Sequence, residues 1–128
     1  VARFLIIDDD ETVGLALGRM LEVEGHQAIR ALSAEAGLVS AEADHPDAVI
    51  VDMRMPMMGG LEFLRRMRAH ADLHAMPVGV ITGDYFLGDD VVAELHTLGA
   101  RIRTKPIYLH DLATLAHELL GERTTPGS

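Results

Sequence analysis

Cysteine is missing from all 128 residues, so the chain has no disulfide framework and no thiolate metal site. A cytoplasmic location is the expectation. No apolar stretch approaches the length of a membrane span, and no charged-then-apolar leader resembles a signal peptide. Membrane association is therefore not expected. Basic residues are scarce as well: 11 Lys and Arg stand against 20 Asp and Glu, for a net charge of -9. Direct nucleic-acid binding needs a cationic surplus to neutralise phosphates, so it is not expected of this chain. A divalent cation or a basic partner protein suits it better. There is no internal repeat and no low-complexity tract. What remains is an ordinary globular composition, 48% hydrophobic and 24% charged, long enough for one buried core.

Strand-like and helix-like segments alternate along the chain. Residues 2–7 form a short apolar run, as a doubly covered parallel strand should. Val13, Leu17, Met20 and Leu21 share one helical face, with Thr12 or Asp10 as cap and Gly25 as stop. Residues 27–31 make a poor strand that belongs at an edge, and Ser33 caps a short helix ending near Ala43. Residues 48–52 follow as a strand, then a helix marked by Leu61, Leu64 and Met67, whose outer face carries Arg65, Arg66 and Arg68. Residues 78–82 and a short polar run at 101–104 supply two more strands. Val91, Leu95 and Leu98 mark the helix between them, and Leu109, Leu112, Ala116 and Leu119 the closing one.

Five β/α units imply an α/β fold: a doubly wound, flavodoxin-like parallel sheet of order 2-1-3-4-5, with helices on both faces. Residues 1–120 are expected to form one domain. Residues 121–128 read as a linker or frayed end.

The chemistry concentrates at the carboxyl ends of the strands, where such sheets bind ligands. Asp52 closes an apolar run and opens the loop Met53-Arg54-Met55-Pro56-Met57-Met58-Gly59-Gly60. Asp8 and Asp9 follow the first strand, which lies beside the third in this topology. Three converging carboxylates repel one another unless a cation or protons compensate. With oxygen ligands and no His or Cys nearby, Mg²⁺ is the natural occupant. A carboxylate beside Mg²⁺ can attack a phosphoryl group to form an acyl phosphate. Thr82 and Lys105, ending the fourth and fifth strands, offer a hydroxyl and an ammonium for that group. Gly83 leaves a backbone N–H open to approach.

These residues give the chain its resemblance to response-regulator receiver domains over residues 2–120. Ile7-Asp8-Asp9, Asp52 through Gly59, Ile81-Thr82-Gly83 and Lys105-Pro106 occur in that family's order. The resemblance implies that Asp52 is the phosphoacceptor in two-component signalling. It implies that Asp8, Asp9 and Asp52, with the backbone carbonyl of Arg54, hold Mg²⁺, and that Thr82 and Lys105 bind the phosphoryl group. It implies a cis Lys105–Pro106 peptide, a phosphohistidine donor on a sensor histidine kinase or phosphotransfer protein, and a dimer on phosphorylation. A receiver is a regulatory phosphoacceptor rather than an enzyme. One departure stands out: Ile102 occupies the switch position where the family usually carries Tyr or Phe, for which Tyr85 or Tyr108 are the available substitutes. Arg54 and Asp84, each two residues past a site residue, are expected to flank the entrance.

Two other readings compete. Asp8-Asp9-Asp10-Glu11-Thr12 also fits the opening motif of haloacid-dehalogenase-type phosphatases, with Asp8 as nucleophile. That reading leaves Asp52 idle and requires the pair Asp89-Asp90 to follow the lysine, which it precedes. A degenerate receiver serving only as an interaction module is the other. Plainer roles account for the rest. Asp10 and Glu11 favour a helix dipole, the methionines of the 53–58 loop are flexible filler, and the seven histidines and three arginines of the third helix are surface residues. Gly14 and Gly18 allow close helix–sheet packing.

Overall fold

The computed structural model describes residues 1–83 and 87–121. Five strands and five helices alternate: β1 (Arg3–Ile7), α1 (Glu11–Val23), β2 (Gln27–Ala31), α2 (Ala34–Asp44), β3 (Ala48–Asp52), α3 (Gly60–Ala69), β4 (Val78–Thr82), α4 (Asp89–Thr97), β5 (Arg101–Thr104) and α5 (Leu109–Leu119). All strand pairs are parallel, in the order β2-β1-β3-β4-β5. The doubly wound sheet expected from the β/α alternation is therefore present.

The three central strands are apolar on both faces because both faces are covered. Leu5, Ile7, Val49, Val51, Val78 and Val80 point to one side, where Phe63, Leu64 and Met67 of α3 and Leu95 of α4 close the core. Phe4, Ile6, Ile50 and Ile81 point to the other, against Leu17 and Leu21 of α1 and Leu112, Leu115 and Leu119 of α5. The alternation is the strand period of two read through a sheet with no wet face. Among the described residues, no helix is long and apolar enough to cross a membrane.

Helix ends follow from local chemistry. The Asp10 carboxylate accepts from the backbone N–H groups of Thr12 at 3.0 Å and Val13 at 3.3 Å, so Asp10 rather than Thr12 caps α1. The Ser33 hydroxyl accepts from Ala36 N–H at 3.1 Å and caps α2. Gly25 (φ 87°) and Gly99 (φ 81°) adopt the left-handed conformation that stops α1 and α4.

Three sequence expectations need correction. His26 is not a plain surface residue: its Nδ1 accepts from Ala2 N–H at 3.2 Å and its ring meets Phe4 edge-on at 5.1 Å. Met57 is not filler, being 98% exposed with φ 71°, whereas Met58 beside it is buried. Arg68 is not on a solvated face. It is half-buried, and it donates to the carbonyls of Leu98 (2.7 Å), Met76 (2.7 Å) and His74 (3.2 Å). Burial lowers the pKa of its guanidinium. Arg68→Ala strips charged donors from these carbonyls and is expected to cost about 2–3 kcal/mol. Urea unfolding checks this, and a loss below about 0.5 kcal/mol, the range of neutral surface changes, would refute it.

Candidate functional site

The register brings four strand ends level. Ile7 pairs with Val51, Asp52 with Ile81, and Thr82 with Thr104. Asp8 therefore leaves β1 beside Asp52, while Thr82 ends β4 and Lys105 follows β5. Between β1 and β3 the strand order reverses direction, which opens a crevice at this edge. Backbone hydrogen bonds hold the edge together: Met53 N–H to the Ile81 carbonyl at 2.8 Å, and Lys105 N–H to the Thr82 carbonyl at 2.7 Å.

The carboxylates of Asp8, Asp9 and Asp52 converge, with one oxygen of each within 4.8 Å of the others. Asp8 and Asp52 are buried at 3% and 8% exposure, and Asp9 faces solvent. Lys105 Nζ lies 2.9 Å from Asp52 Oδ1 and 3.5 Å from Asp8 Oδ2. Asp8 Oδ1 also accepts from Asp10 N–H at 2.9 Å. Burial raises the pKa of the Asp8 carboxyl, against the pull of the Asp10 N–H, and the neighbouring Asp52 charge adds to the rise. Burial acts to lower the pKa of Lys105, but the hydrogen bond and charge of Asp52, then those of Asp8, outweigh it and hold the ammonium above the ordinary lysine value. Lys105 is also the only lysine in the chain.

This donor set is wholly oxygen, and three carboxylates against one ammonium leave a surplus of negative charge. It fits a hard divalent cation such as Mg²⁺, which takes oxygen ligands in preference to soft sulfur ones. Thr82 is buried at 1% exposure where β4 ends. Gly83 borders open space: among the described residues, nothing lies within 4 Å of where a Cβ would sit. The described residues therefore do not require a glycine there. Arg54 is exposed on the loop after Asp52. The Lys105–Pro106 peptide is cis.

A family model for the response regulator receiver domain matches residues 4–116. The chain belongs to this family. Response regulator MprA of Mycolicibacterium vanbaalenii is 34% identical over 124 residues, 97% of this chain and 52% of that protein. Protein PilH of Pseudomonas aeruginosa is 37% identical over 82 residues, 64% of this chain and 68% of PilH. A solved receiver-domain structure from Clostridium thermocellum matches with a TM-score of 0.84 at 28% identity, covering 94% of this chain and 95% of that one. The receiver spans about half the length of MprA.

Neither competing reading gains support. Asp52, idle in the phosphatase scheme, is the carboxylate nearest Lys105. Asp89 and Asp90 are exposed and open α4, ahead of the lysine. The interaction-only reading does not call for a converged set of acids with a cation at its centre.

Ile102 is half-buried in β5, packed against the core on the α4 side. Tyr108 stands 65% exposed just before α5, so its ring does not replace a buried aromatic. Tyr85 and Asp84 lie outside the described residues, as does all of the 121–128 tail except Gly121. An apolar cleft of about 530 Å³ that no local pattern announces lies beside Lys105, lined by Val13, Leu17, Met20, Ile81 and Ile107. Its walls come from α1, β4 and the 105–107 turn, which only the fold brings together.

Proposed function

We propose that this receiver accepts a phosphoryl group on Asp52 from a phosphohistidine, and that the modified site alters the surface made by α4, β5 and α5. The observation that carries this reading is the 2.9 Å contact between Lys105 and Asp52 inside a converged acid group. Asp8, Asp9 and Asp52, with the Arg54 carbonyl, would hold Mg²⁺. When bound, the ion supplies charge that neutralises the oxygens of the transferring group.

The remaining work falls to the chain's own side chains. An Asp52 carboxylate oxygen attacks phosphorus, the P–N bond to the donor imidazole breaks, and the imidazole keeps the electron pair and takes up a proton. The Lys105 ammonium and the Thr82 hydroxyl bind phosphoryl oxygens as negative charge shifts toward them, a role suited to preorganised donors in a partly dry site. Release of Lys105 from the two carboxylates to the incoming oxygens replaces one charge-assisted contact by another. The donor protein would be a sensor histidine kinase or a histidine phosphotransfer protein.

Treatment with a small-molecule phosphodonor and Mg²⁺, followed by mass-spectrometric mapping, tests this directly. The label is expected on Asp52 and is lost in Asp52→Ala. Label on Asp8, or label surviving the substitution, overturns the proposal.

A further inference from the structure

Two arginines one helical turn apart on α3 both end on α4. Arg65 grips the Glu94 carboxylate with two prongs, Nε to Oε2 at 2.6 Å and Nη2 to Oε1 at 2.7 Å. Arg68 donates through Nε to the carbonyl of Leu98, the residue that caps the end of α4, at 2.7 Å. Helix α4 is thus held at its middle and at its end by the same neighbour. Leu95 is its one fully buried residue, with the partly buried Val91 and Leu98 packed against the same core. The two polar ties to α3 add to that attachment. A lone exposed ion pair contributes little, but a two-pronged Arg–carboxylate fork fixes geometry as well as charge.

The other end of α3 is fitted to the phosphoacceptor strand. Gly60 N–H donates to the Met53 carbonyl at 2.9 Å, and a Cβ on Gly60 would come within 2.9 Å of the Asp52 carbonyl oxygen. The helix begins against the backbone of Asp52, and its Phe63, Leu64 and Met67 are fully buried. A shift of the 52–53 backbone has no slack to absorb it before α3 responds. Meanwhile Ile102 offers neither a ring to swing nor a hydroxyl to hydrogen-bond.

We propose that α3 and α4 of this receiver move as one body, the Arg65–Glu94 fork and the Arg68–Leu98 tie carrying displacement at the Asp52 loop to the α4 surface. The trigger in this scheme rests on the phosphoacceptor reading of Asp52; the ties do not.

Amide hydrogen exchange over residues 89–97 of the intact chain separates the two. In the unmodified protein, Arg65→Gln and Glu94→Gln are each expected to speed α4 exchange by about two- to fivefold. The double variant should do no more than either single one, because both remove the same contact. Arg66→Gln, which among the described residues loses only a bond to Glu62, should leave α4 unchanged. In the second arm, beryllofluoride with Mg²⁺ serves as the phosphoryl mimic. It is expected to change α4 exchange in the wild type, and to change it less than half as much in Arg65→Gln, although Asp52 of that variant loads normally from a small-molecule phosphodonor. Unaltered α4 exchange in the single variants, or a full response to the mimic in Arg65→Gln, overturns the proposal. A wild-type chain that accepts no phosphoryl group refutes the phosphoacceptor reading instead, and the first arm still decides the ties.

Discussion

Lys105→Ala is expected to slow phosphorylation of Asp52 by about 10²–10³-fold, the scale seen when a preorganised donor is removed from a reacting oxygen. The ammonium sits 2.9 Å from one carboxylate and 3.5 Å from another, so no water can supply an equally placed positive charge. Lys105→Arg should recover only part of the rate, since a planar fork does not reproduce a compact point charge. Time courses at saturating Mg²⁺ and a fixed phosphodonor concentration check both variants. A rate within about threefold of wild type for Lys105→Ala, far short of that scale, would show the contact to be incidental. The pH dependence has a definite sign. Because the folded state raises the pKa of this lysine, its stabilising effect is complete below the ordinary lysine value and fades only as pH rises through the folded one. Phosphorylation lost near neutrality therefore cannot be blamed on Lys105 deprotonating. The absence of other lysines adds a chemical route to the same test. An amine-acylating reagent can modify only this side chain and the amino terminus.

Asp8→Asn should have opposite effects on stability and on metal response. Burial, helped by the charge of Asp52, holds the Asp8 carboxyl above its usual pKa range. The ionised form is thus disfavoured in the folded state. The sign follows: this group costs stability at neutral pH, and the cost disappears as pH falls through the raised folded value. Asparagine keeps an oxygen to accept from Asp10 N–H and removes the charge. Without divalent cation the variant should melt roughly 3–5 °C higher, as relief of about 1 kcal/mol would give in a domain of this size. Added Mg²⁺ should raise the melting temperature of the wild type by mass action and barely move that of the variant. Paired thermal melts with and without Mg²⁺ make the comparison. A variant less stable than wild type without metal would contradict the charge-crowding account.

The strands and their carboxyl-end residues were legible for a simple reason. β1, β3 and β4 are buried on both faces, so they read as unbroken apolar runs, and a charged residue at the end of such a run stands out. Asp8 and Asp52 are visible on that ground alone. β5 is harder to read because it is an edge strand. Arg103 makes a 2.6 Å ion pair with Glu118 of α5, and Arg101 approaches the same carboxylate at 3.8 Å. Nothing local announces that partnership.

The partners of the α3 arginines, and the burial of Arg68 among them, were hidden for a related reason. Helical spacing separates Arg65 and Arg68, which share a side, from Arg66, but it cannot say that α4 lies alongside. The cap of α1 stayed open between Asp10 and Thr12 until backbone geometry decided it. The cleft beside Lys105 draws its lining from segments nearly a chain length apart, and no local pattern could disclose it.

The separation of Lys105 from Asp8, 97 positions along the chain, has a consequence for synthesis. The first and third strands supply the acids, but the cation that completes the site follows the fifth. A nascent chain, or one cut ahead of β5, carries the carboxylates without their counter-charge. Contacts between such distant segments form late, once the intervening chain has been ordered. Under the proposed phosphoacceptor role of Asp52, capture of a phosphoryl group would thereby wait on complete folding.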